Sequence, residues 1–308
     1  IPGAGRITDG GHTATINTAV GYAALVTNTS GTENTAIGYY ALYSNNSGGN
    51  YNTAVGSAAG QNITSGDHNT VLGWQALGAS YSSGSYTTVV GSQALQNTTG
   101  SNNTAMGYQA GYNLSTGIEN TLMGYGAGSN QGVGSYNTGI GRSALRSTVG
   151  NLNLALGFQA GYDLTSGQQN ILIGSTNTTG GNRITTGSNN ISIGFNAAFP
   201  SSTANNQLNI ANTIFGTITA TSTSTSVPTN FSGTLIGIAS TSPWARLSVD
   251  TGNLGTAPAF AIGSSTGTNL IVTNAGLVGI GTTTPGSLLA IGGTGTGWNF
   301  YDNASTTK

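Results

Sequence analysis

The chain has no cysteine, and only 4% of its 308 residues are charged. The absence of cysteine excludes disulfide bonds and thiolate metal sites. The formal net charge is −1, so the chain lacks the basic surface that attracts nucleic acids or anionic membranes. It also lacks an apolar run of about 18 residues, so no membrane-inserting segment is predicted. Neither nucleic acid nor membrane is expected as a partner.

Glycine, asparagine, serine and threonine supply what the charged residues do not. The chain contains 51 glycines, and this composition is also found in disordered segments. The apolar residues, however, recur periodically and are accompanied by 13 tyrosines. A regular fold is therefore the better interpretation.

A short phrase recurs eleven times between Ile16 and Gly194, with a period of about 17 residues. It opens with Asn and continues with Thr or an aliphatic residue, a variable residue, an aliphatic residue or Met, and Gly. The opening asparagines are Asn17, Asn34, Asn52, Asn69, Asn103, Asn120, Asn137, Asn153, Asn170 and Asn190, with Thr87 in the remaining unit. So short a period is typical of a solenoid, in which each unit packs only on its neighbours.

The residues after each Asn alternate with a period of two, which predicts a short strand. Because the third of them is always aliphatic or Met, we expect it to point inward. This inward column is Val20, Ile37, Val55, Leu72, Val90, Met106, Met123, Ile140, Leu156, Ile173 and Ile193. The mostly small second residue would then face outward, leaving an apolar stripe that other copies of the chain would cover. A homotrimer is the expected assembly.

A glycine without exception ends each predicted strand, at a turn that a Cβ atom would obstruct. The turn glycines are Gly21, Gly38, Gly56, Gly73, Gly91, Gly107, Gly124, Gly141, Gly157, Gly174 and Gly194. An alanine follows three residues later in ten units, which indicates a narrow interior. Length varies only between this alanine and a second glycine, three residues before the next Asn, and marks a loop edge.

Stacked strands lie about 4.8 Å apart, so the asparagine side chains are expected to form an amide ladder along the rod. The predicted fold class is all-β: a parallel β-solenoid, or β-roll, of eleven coils. The domain boundaries follow the pattern: an N-terminal cap or contact segment (1–15), the repeat domain (16–199) and a linker with a Ser/Thr tract (200–235). A distal β module (236–308) follows, in which Gly237-Ile238 and Pro243 recur as Gly279-Ile280 and Pro285 at one fixed, longer period.

The repeat resembles the head repeat of trimeric autotransporter adhesins. The segments that carry the resemblance are NTAVGYAAL (17–25), NTAVGSAAG (52–60) and NTAMGYQAG (103–111). The resemblance implies a left-handed parallel β-roll of three chains, displayed outside the cell. The unit of this chain is longer than that family's typical unit. Residues 206–218 and the phrase GIGTTTP (279–285) are instead similar to distal parts of phage tail fibres and bacterial surface fibres.

Candidate catalytic residues are few and scattered. His68 occupies a position at which other units have Glu, Tyr or Gln, as expected of a solvent-facing slot. The acidic residues Glu33, Asp67, Glu119 and Asp163 fall in different units and form neither a paired carboxylate site nor a calcium loop. No catalytic residue, cofactor or metal is therefore predicted. A glycan-processing depolymerase, which needs paired acidic residues in one groove, is the enzymatic alternative.

Aromatic residues follow the turn glycines in seven units. They are Tyr22, Tyr39, Trp74, Tyr108, Tyr125, Phe158 and Phe195. Packing on one another or between chains is the favoured interpretation, and stacking on sugars is the alternative.

The sequence thus predicts a non-enzymatic, extracellular structural fibre or adhesin segment that associates with itself. The expected rod is stiff, stands at the cell surface, polymerises end to end and meets surface glycans or proteins. The alternative is the shaft of a phage tail fibre or spike, carried on a virion and involved in receptor binding.

Overall fold

The computed structural model describes residues 16–45, 47–78, 83–130, 132, 134–174, 184–217, 236–238, 247–249, 260–264, 267–273 and 275–291. The predicted cap (1–15), the Ser/Thr tract (219–230) and residues 292–308 lie outside these ranges. Within them the chain is all-β and contains no helix.

The eleven predicted strands all form, each on the three residues after the opening Asn or Thr. They are β1 (Thr18–Val20), β2 (Thr35–Ile37), β3 (Thr53–Val55), β4 (Thr70–Leu72), β5 (Thr88–Val90), β6 (Thr104–Met106), β7 (Thr121–Met123), β8 (Thr138–Ile140), β9 (Leu154–Leu156), β10 (Ile171–Ile173) and β11 (Ile191–Ile193). Each pairs in parallel with the next and in register, so that Thr18 faces Thr35 and Val20 faces Ile37. The fold is therefore a parallel β-solenoid, as predicted. We number its coils 1–11 after these strands.

The parallel stack continues for one strand beyond the predicted repeat domain. Strand β12 (Gln207–Ile210) pairs in parallel with β11, and Ile193 faces Ile210. Gln207 stands where other coils have Asn, and Ala211 stands where they have the turn glycine. Because of these two replacements, this turn of the solenoid, which we call coil 12, does not match the repeat phrase.

Strand β13 (Ile214–Thr217) then reverses direction and pairs antiparallel with β12. An antiparallel strand covers the edge of the parallel stack and ends the solenoid there. Strand β14 (Ile236–Ile238) pairs antiparallel with β13, and β15 (Leu247–Val249) pairs in parallel with β14.

A second, four-stranded sheet repeats these pairings. Its strands are β16 (Phe260–Ser264), β17 (Gly267–Val272), β18 (Val278–Ile280) and β19 (Leu289–Ile291). β17 pairs antiparallel with β16 and β18, and β19 pairs in parallel with β18. β18 and β19 begin at residues 278 and 289, and β14 and β15 begin at residues 236 and 247, so the two pairs have the same spacing. The longer period of the sequence thus corresponds to one recurring strand arrangement.

The prediction of the inward column is wrong. The side chains of Val20, Ile37, Val55, Leu72, Val90, Met106, Met123, Ile140, Leu156, Ile173 and Ile193 are exposed or half-buried on the outside of the coil. The middle residue of each strand, from Ala19 to Ser192, points inward instead and is buried. A coil this short has room for one inward side chain from each strand rather than two, and that residue ranges in size from Gly139 to Leu122.

The core is completed from the far side of the coil, in two alternative ways. Coils 1, 2, 5 and 8 use a buried leucine eight residues after the opening residue, with Asn or Thr three residues further on: Leu25 and Asn28, Leu42 and Asn45, Leu95 and Thr98, Leu145 and Thr148. Coils 3, 6 and 9 reverse the pair: Gly60 and Ile63, Gly111 and Leu114, Gly161 and Leu164. A Cβ atom on Gly111 would lie 2.5 Å from Leu95 Cδ2. Each of these seven coils therefore supplies one large apolar side chain from one of two places.

Candidate functional site

The asparagines form a largely buried ladder inside the solenoid. The backbone N–H of Asn52 donates to Oδ1 of Asn34 at 2.9 Å, and Nδ2 of Asn52 donates to the carbonyl of Gly66 at 2.8 Å. The same two bonds recur at Asn120, Asn137, Asn153 and Asn170. Gln207 extends the ladder, since its N–H donates to Oδ1 of Asn190 at 2.8 Å. These bonds satisfy backbone groups that are closed off from water.

A second ladder runs beside the first in the opposite sense, and sequence reasoning missed it. Two residues before each opening residue, a side-chain oxygen accepts from the backbone of the preceding coil. Asn50 N–H donates to Asp67 Oδ1 at 2.7 Å, Asp67 N–H to Ser85 Oγ at 2.9 Å, and Ser85 N–H to Ser101 Oγ at 3.1 Å. The signal was a column of short oxygen-bearing side chains, interrupted at Ile118. Asp67 is therefore a structural acceptor.

The turn glycines are required by both conformation and space. The eleven have φ between 126° and 142°, a region that L side chains rarely adopt. A Cβ atom on Gly124 would lie 2.6 Å from the carbonyl oxygen of Gly141 in the next coil. The glycines therefore allow successive coils to stack at strand spacing.

The outer face of the solenoid, formed by the first and third residues of β1–β11 and by Leu208 and Ile210 of β12, is apolar and partly open. Among the third residues, Val20 is 51% exposed and Leu72 47% exposed. In β9, β10 and β11 the first residue is also aliphatic, and Leu208 continues this row in β12. Twelve in-register strands make this stripe roughly 50 Å long. Few monomeric proteins expose an apolar stripe so continuous.

The residues that follow the turn glycines form an aromatic column, and its rings are exposed. Tyr22 stacks on Tyr39 with ring centroids 5.5 Å apart, and Tyr108 stacks on Tyr125 at 5.3 Å. The guanidinium of Arg142 lies 5.5 Å from the Tyr125 ring centroid and 5.7 Å from that of Phe158. These contacts agree with packing along the rod. Trp74 differs, because no ring of the described residues stacks on it.

Next to this column, Tyr40 contacts both Tyr39 and Tyr43, with ring centroids 4.3 and 4.7 Å away. The hydrogen bond with Tyr39 raises the pKa of Tyr40 above its ordinary value of 10.0, and the neighbouring phenols add to the shift. The side chains at the aromatic column and at the next residue therefore lie side by side.

His68 takes part in a different stack. Its imidazole lies between the rings of Tyr51 and Tyr86, with centroids 4.6 and 5.1 Å away and planes 8° from parallel. All three residues precede an opening residue of the repeat and have positive φ of 56–58°. Both faces of the imidazole are covered by phenols. His68 is a packing residue in this arrangement.

The acidic residues remain apart. Glu33 and Glu119 lie in coils far apart along the rod, and each occupies the exposed position before an asparagine. Within the described ranges, no three His, Cys, Asp or Glu side chains converge on a metal-sized site.

A cavity lies between coils 9 and 11, lined by Leu172, Ile184, Ser192 and Phe199 among others. It adjoins residues 175–183, which lie outside the described ranges. No site is assigned to it.

No known family, curated protein or solved structure matches the chain. The described residues include no helix of the length and hydropathy that a membrane span requires. The strand pairing establishes the fold as a parallel β-solenoid. The comparisons establish no family for it.

Proposed function

We propose that this chain is a non-enzymatic segment of an extracellular fibre or adhesin, in which three copies associate through their outer faces into a stiff rod. The apolar outer face carries the proposal. It runs without interruption over the twelve parallel strands, and it has no covering element among the described residues. The resemblance of the repeat to adhesin heads agrees with the same assembly and with a surface location.

Burial of the outer face contributes favourably to association. Side chains such as Ile37, Leu72 and Leu156 are 40–47% exposed, so covering each gains about 1 kcal/mol. Over a dozen strands the gain is on the order of 10 kcal/mol, enough to offset part of the cost of association. When the copies are related by a symmetry axis parallel to the rod, equivalent strands of different copies lie at the same height. Closed cyclic symmetry then covers the outer face of every copy.

The hydrogen-bond pattern explains how such a rod would resist deformation. Backbone bonds between coils and the two side-chain ladders run along its length, so bending must strain many hydrogen bonds at once. A rod of this kind holds whatever lies at its end away from its base.

Sedimentation and native mass spectrometry of the full chain test the assembly. The expected mass is three times 30.6 kDa. The double variant Leu72→Glu, Leu156→Glu is expected to shift the protein toward monomer, because it places charges on the outer face. Tyr136→Glu, at an exposed position outside this face, is the matched control and should leave the mass unchanged. A monomeric wild-type chain at micromolar concentration would contradict the proposal.

A phage tail fibre shaft is the second candidate. It is favoured by the distal part, where the phrase GIGTTTP overlaps β18 in a strand arrangement that occurs twice. Immunogold electron microscopy of the source material distinguishes the candidates, because labelled rods would project from virions in one case and from cell envelopes in the other.

A further inference from the structure

The aromatic column shows how this solenoid accommodates a planar group between two rings. In coils 7, 8 and 9 the column reads Tyr125, Arg142 and Phe158. The rings are two coils apart, and the Arg142 guanidinium lies between them with its centre 5.5 and 5.7 Å from the two centroids. Two strand spacings of about 4.8 Å leave room for one stacked group, which the chain itself supplies here.

The same two-coil interval occurs twice more without a filling side chain. In coils 2–6 the column reads Tyr39, Ser57, Trp74, Ser92 and Tyr108. We call the interval between Tyr39 and Trp74 the first slot and that between Trp74 and Tyr108 the second slot. A serine side chain extends only one atom beyond Cβ. Ser57 therefore does not fill the first slot, and Ser92 does not fill the second.

The rings that border the slots are accessible. Tyr39 is 55% exposed, Trp74 50% and Tyr108 42%. Tyr39 and Tyr108 each stack on a ring on the side away from the slot, at Tyr22 and Tyr125. Tyr40 also contacts Tyr39, and no ring of the described residues stacks on Trp74 from either slot. With van der Waals contact at about 3.5–4 Å, an interval of about 10 Å accepts one saturated ring and excludes two stacked rings.

Hydrogen-bonding groups lie along the slots. The residues after Trp74 and Ser92 are Gln75 and Gln93, and the contact of Tyr39 with Tyr40 shows that these two positions are adjacent. Gln96 Nε2 donates to Gln75 Oε1 at 3.0 Å, while Gln96 Oε1 is buried and has no partner among the described groups. Serine hydroxyls and glutamine amides both donate and accept.

We propose that each of the two slots binds one neutral sugar ring of a glycan, which stacks between the two aromatic side chains. The apolar faces of a pyranose match the rings, and its hydroxyl groups match the Ser and Gln side chains. No charged residue occupies the aromatic column or the position after it in coils 2–6, so an uncharged saccharide is the ligand class. The slots share Trp74, and their centres are two strand spacings or about 10 Å apart along the stacking direction, so each slot binds its own sugar ring.

This proposal does not depend on the proposed trimer, because all walls of both slots come from one chain. The interval between Tyr125 and Phe158, which Arg142 fills, serves as a comparison for both slots. A larger residue at Ser57 or Ser92 should therefore fill a slot as Arg142 fills its interval, without disturbing the coil.

The test uses the full chain with Trp244→Phe and Trp298→Phe, which leaves Trp74 as the single tryptophan. The probes are four neutral hexasaccharides: of β-1,4-glucose, β-1,4-N-acetylglucosamine, β-1,4-xylose and α-1,4-glucose. We expect at least one to change the Trp74 fluorescence saturably, with matching heat in calorimetry. Ser57→Arg with Ser92→Arg should weaken that binding at least tenfold, and Trp74→Ala should do the same by calorimetry.

Controls separate loss of binding from loss of fold. Ser143→Arg, at a position after the column in coil 8, adds the same charge away from the slots and should leave binding unchanged. Thermal melting should show that the Ser57 and Ser92 variants keep the wild-type transition. The proposal is overturned if none of the four probes binds, or if binding persists when both slots are filled. If the chain forms a trimer but binds none of the four probes, the proposal of sugar binding fails and the proposal of a trimeric fibre stands.

Discussion

The side-chain oxygen of Asn120 accepts a hydrogen bond from the backbone N–H of Asn137, one coil further along, at 2.9 Å. Nδ2 of Asn120 donates to the carbonyl of Gly134 at 3.1 Å. One buried amide thus ties a donor and an acceptor of the backbone between adjacent coils. The repeat preserves the residue because few other side chains reach both groups.

Replacement of Asn120 by Ala should cost about 3 kcal/mol of unfolding free energy, because two buried backbone groups lose their partner. Asn120→Thr should cost less, since Thr87 stands at the same position in coil 5 and is fully buried. Urea unfolding followed by circular dichroism at fixed chain concentration measures both. Equal losses for the two variants would show that the amide bonds are not what stabilises this position.

The turn glycines should tolerate no side chain. Gly124→Ala should lower the unfolding free energy by about 3 kcal/mol or more, because its φ is 130° and the new Cβ would approach Gly141 O to 2.6 Å. Gly126→Ala is the matched control two residues away. Its φ is 61°, the nearest atom lies 3.7 Å from the new Cβ, and coils 1 and 3 have Ala23 and Ala58 there. Its stability should stay within about 1 kcal/mol of wild type.

The two ways of filling the core should be interchangeable only as a pair. Leu114→Thr alone leaves a cavity and should cost about 2–4 kcal/mol. Gly111→Leu alone overpacks against Leu95 and should cost about 1–3 kcal/mol. The double variant reproduces the arrangement of coil 5, Leu95 with Thr98, and lets the new leucine and Leu95 repack into the volume that Leu114 vacates, so it should recover part of both losses. A double-mutant cycle by urea unfolding gives the coupling, and strict additivity would contradict the prediction.

Asn45 is a place where the core can be improved. Its side chain is fully buried, and its Oδ1 has no hydrogen-bond partner among the described residues. Asn45→Thr should raise the unfolding free energy by about 1 kcal/mol, because it removes the unpaired acceptor and adopts the residue of coils 5 and 8. A shift of the thermal midpoint to higher temperature is the readout, and a downward shift would show that the amide is needed.

Tyr40 should lose its proton at a higher pH than a free tyrosine does. Because the pKa of Tyr40 is raised above 10.0, the folded chain retains that proton when an unfolded chain has lost it. Its contribution to stability is therefore complete below the unfolded pKa of 10.0 and is lost as the pH rises through the raised value. Ultraviolet titration of phenolate formation should show the last-titrating component disappear in Tyr40→Phe. An unchanged titration curve would show that Tyr40 ionises with the other tyrosines.

Much of the solenoid could be predicted from the repeat because its rules are local. A regular spacing of Asn17, Asn34 and Asn52 places identical side chains above one another in any parallel stack, which determines the strand register and the ladder. An invariant glycine after each strand identifies the turn. The slots at the surface could not be predicted in the same way. Trp74 and Tyr39 occupy the same column of the repeat, and only the structure shows that a ring stacks on Tyr39 and that no ring of the described residues stacks on Trp74.

The strands, their parallel order and the positions that repeat follow from the amino-acid sequence alone, because they depend on its period and on backbone conformation. Which strand face lies inside becomes evident only in the closed coil. Alternation places Thr18 and Val20 on one face in either case, and the size of Val20 favoured the interior. The cross-section of the closed coil reverses that choice: beside the leucines from the opposite side there is room for one side chain from each strand, such as Ala19, and not for the pair Thr18 and Val20. Inside and outside thus depend on the width that the whole coil encloses, which no single strand specifies.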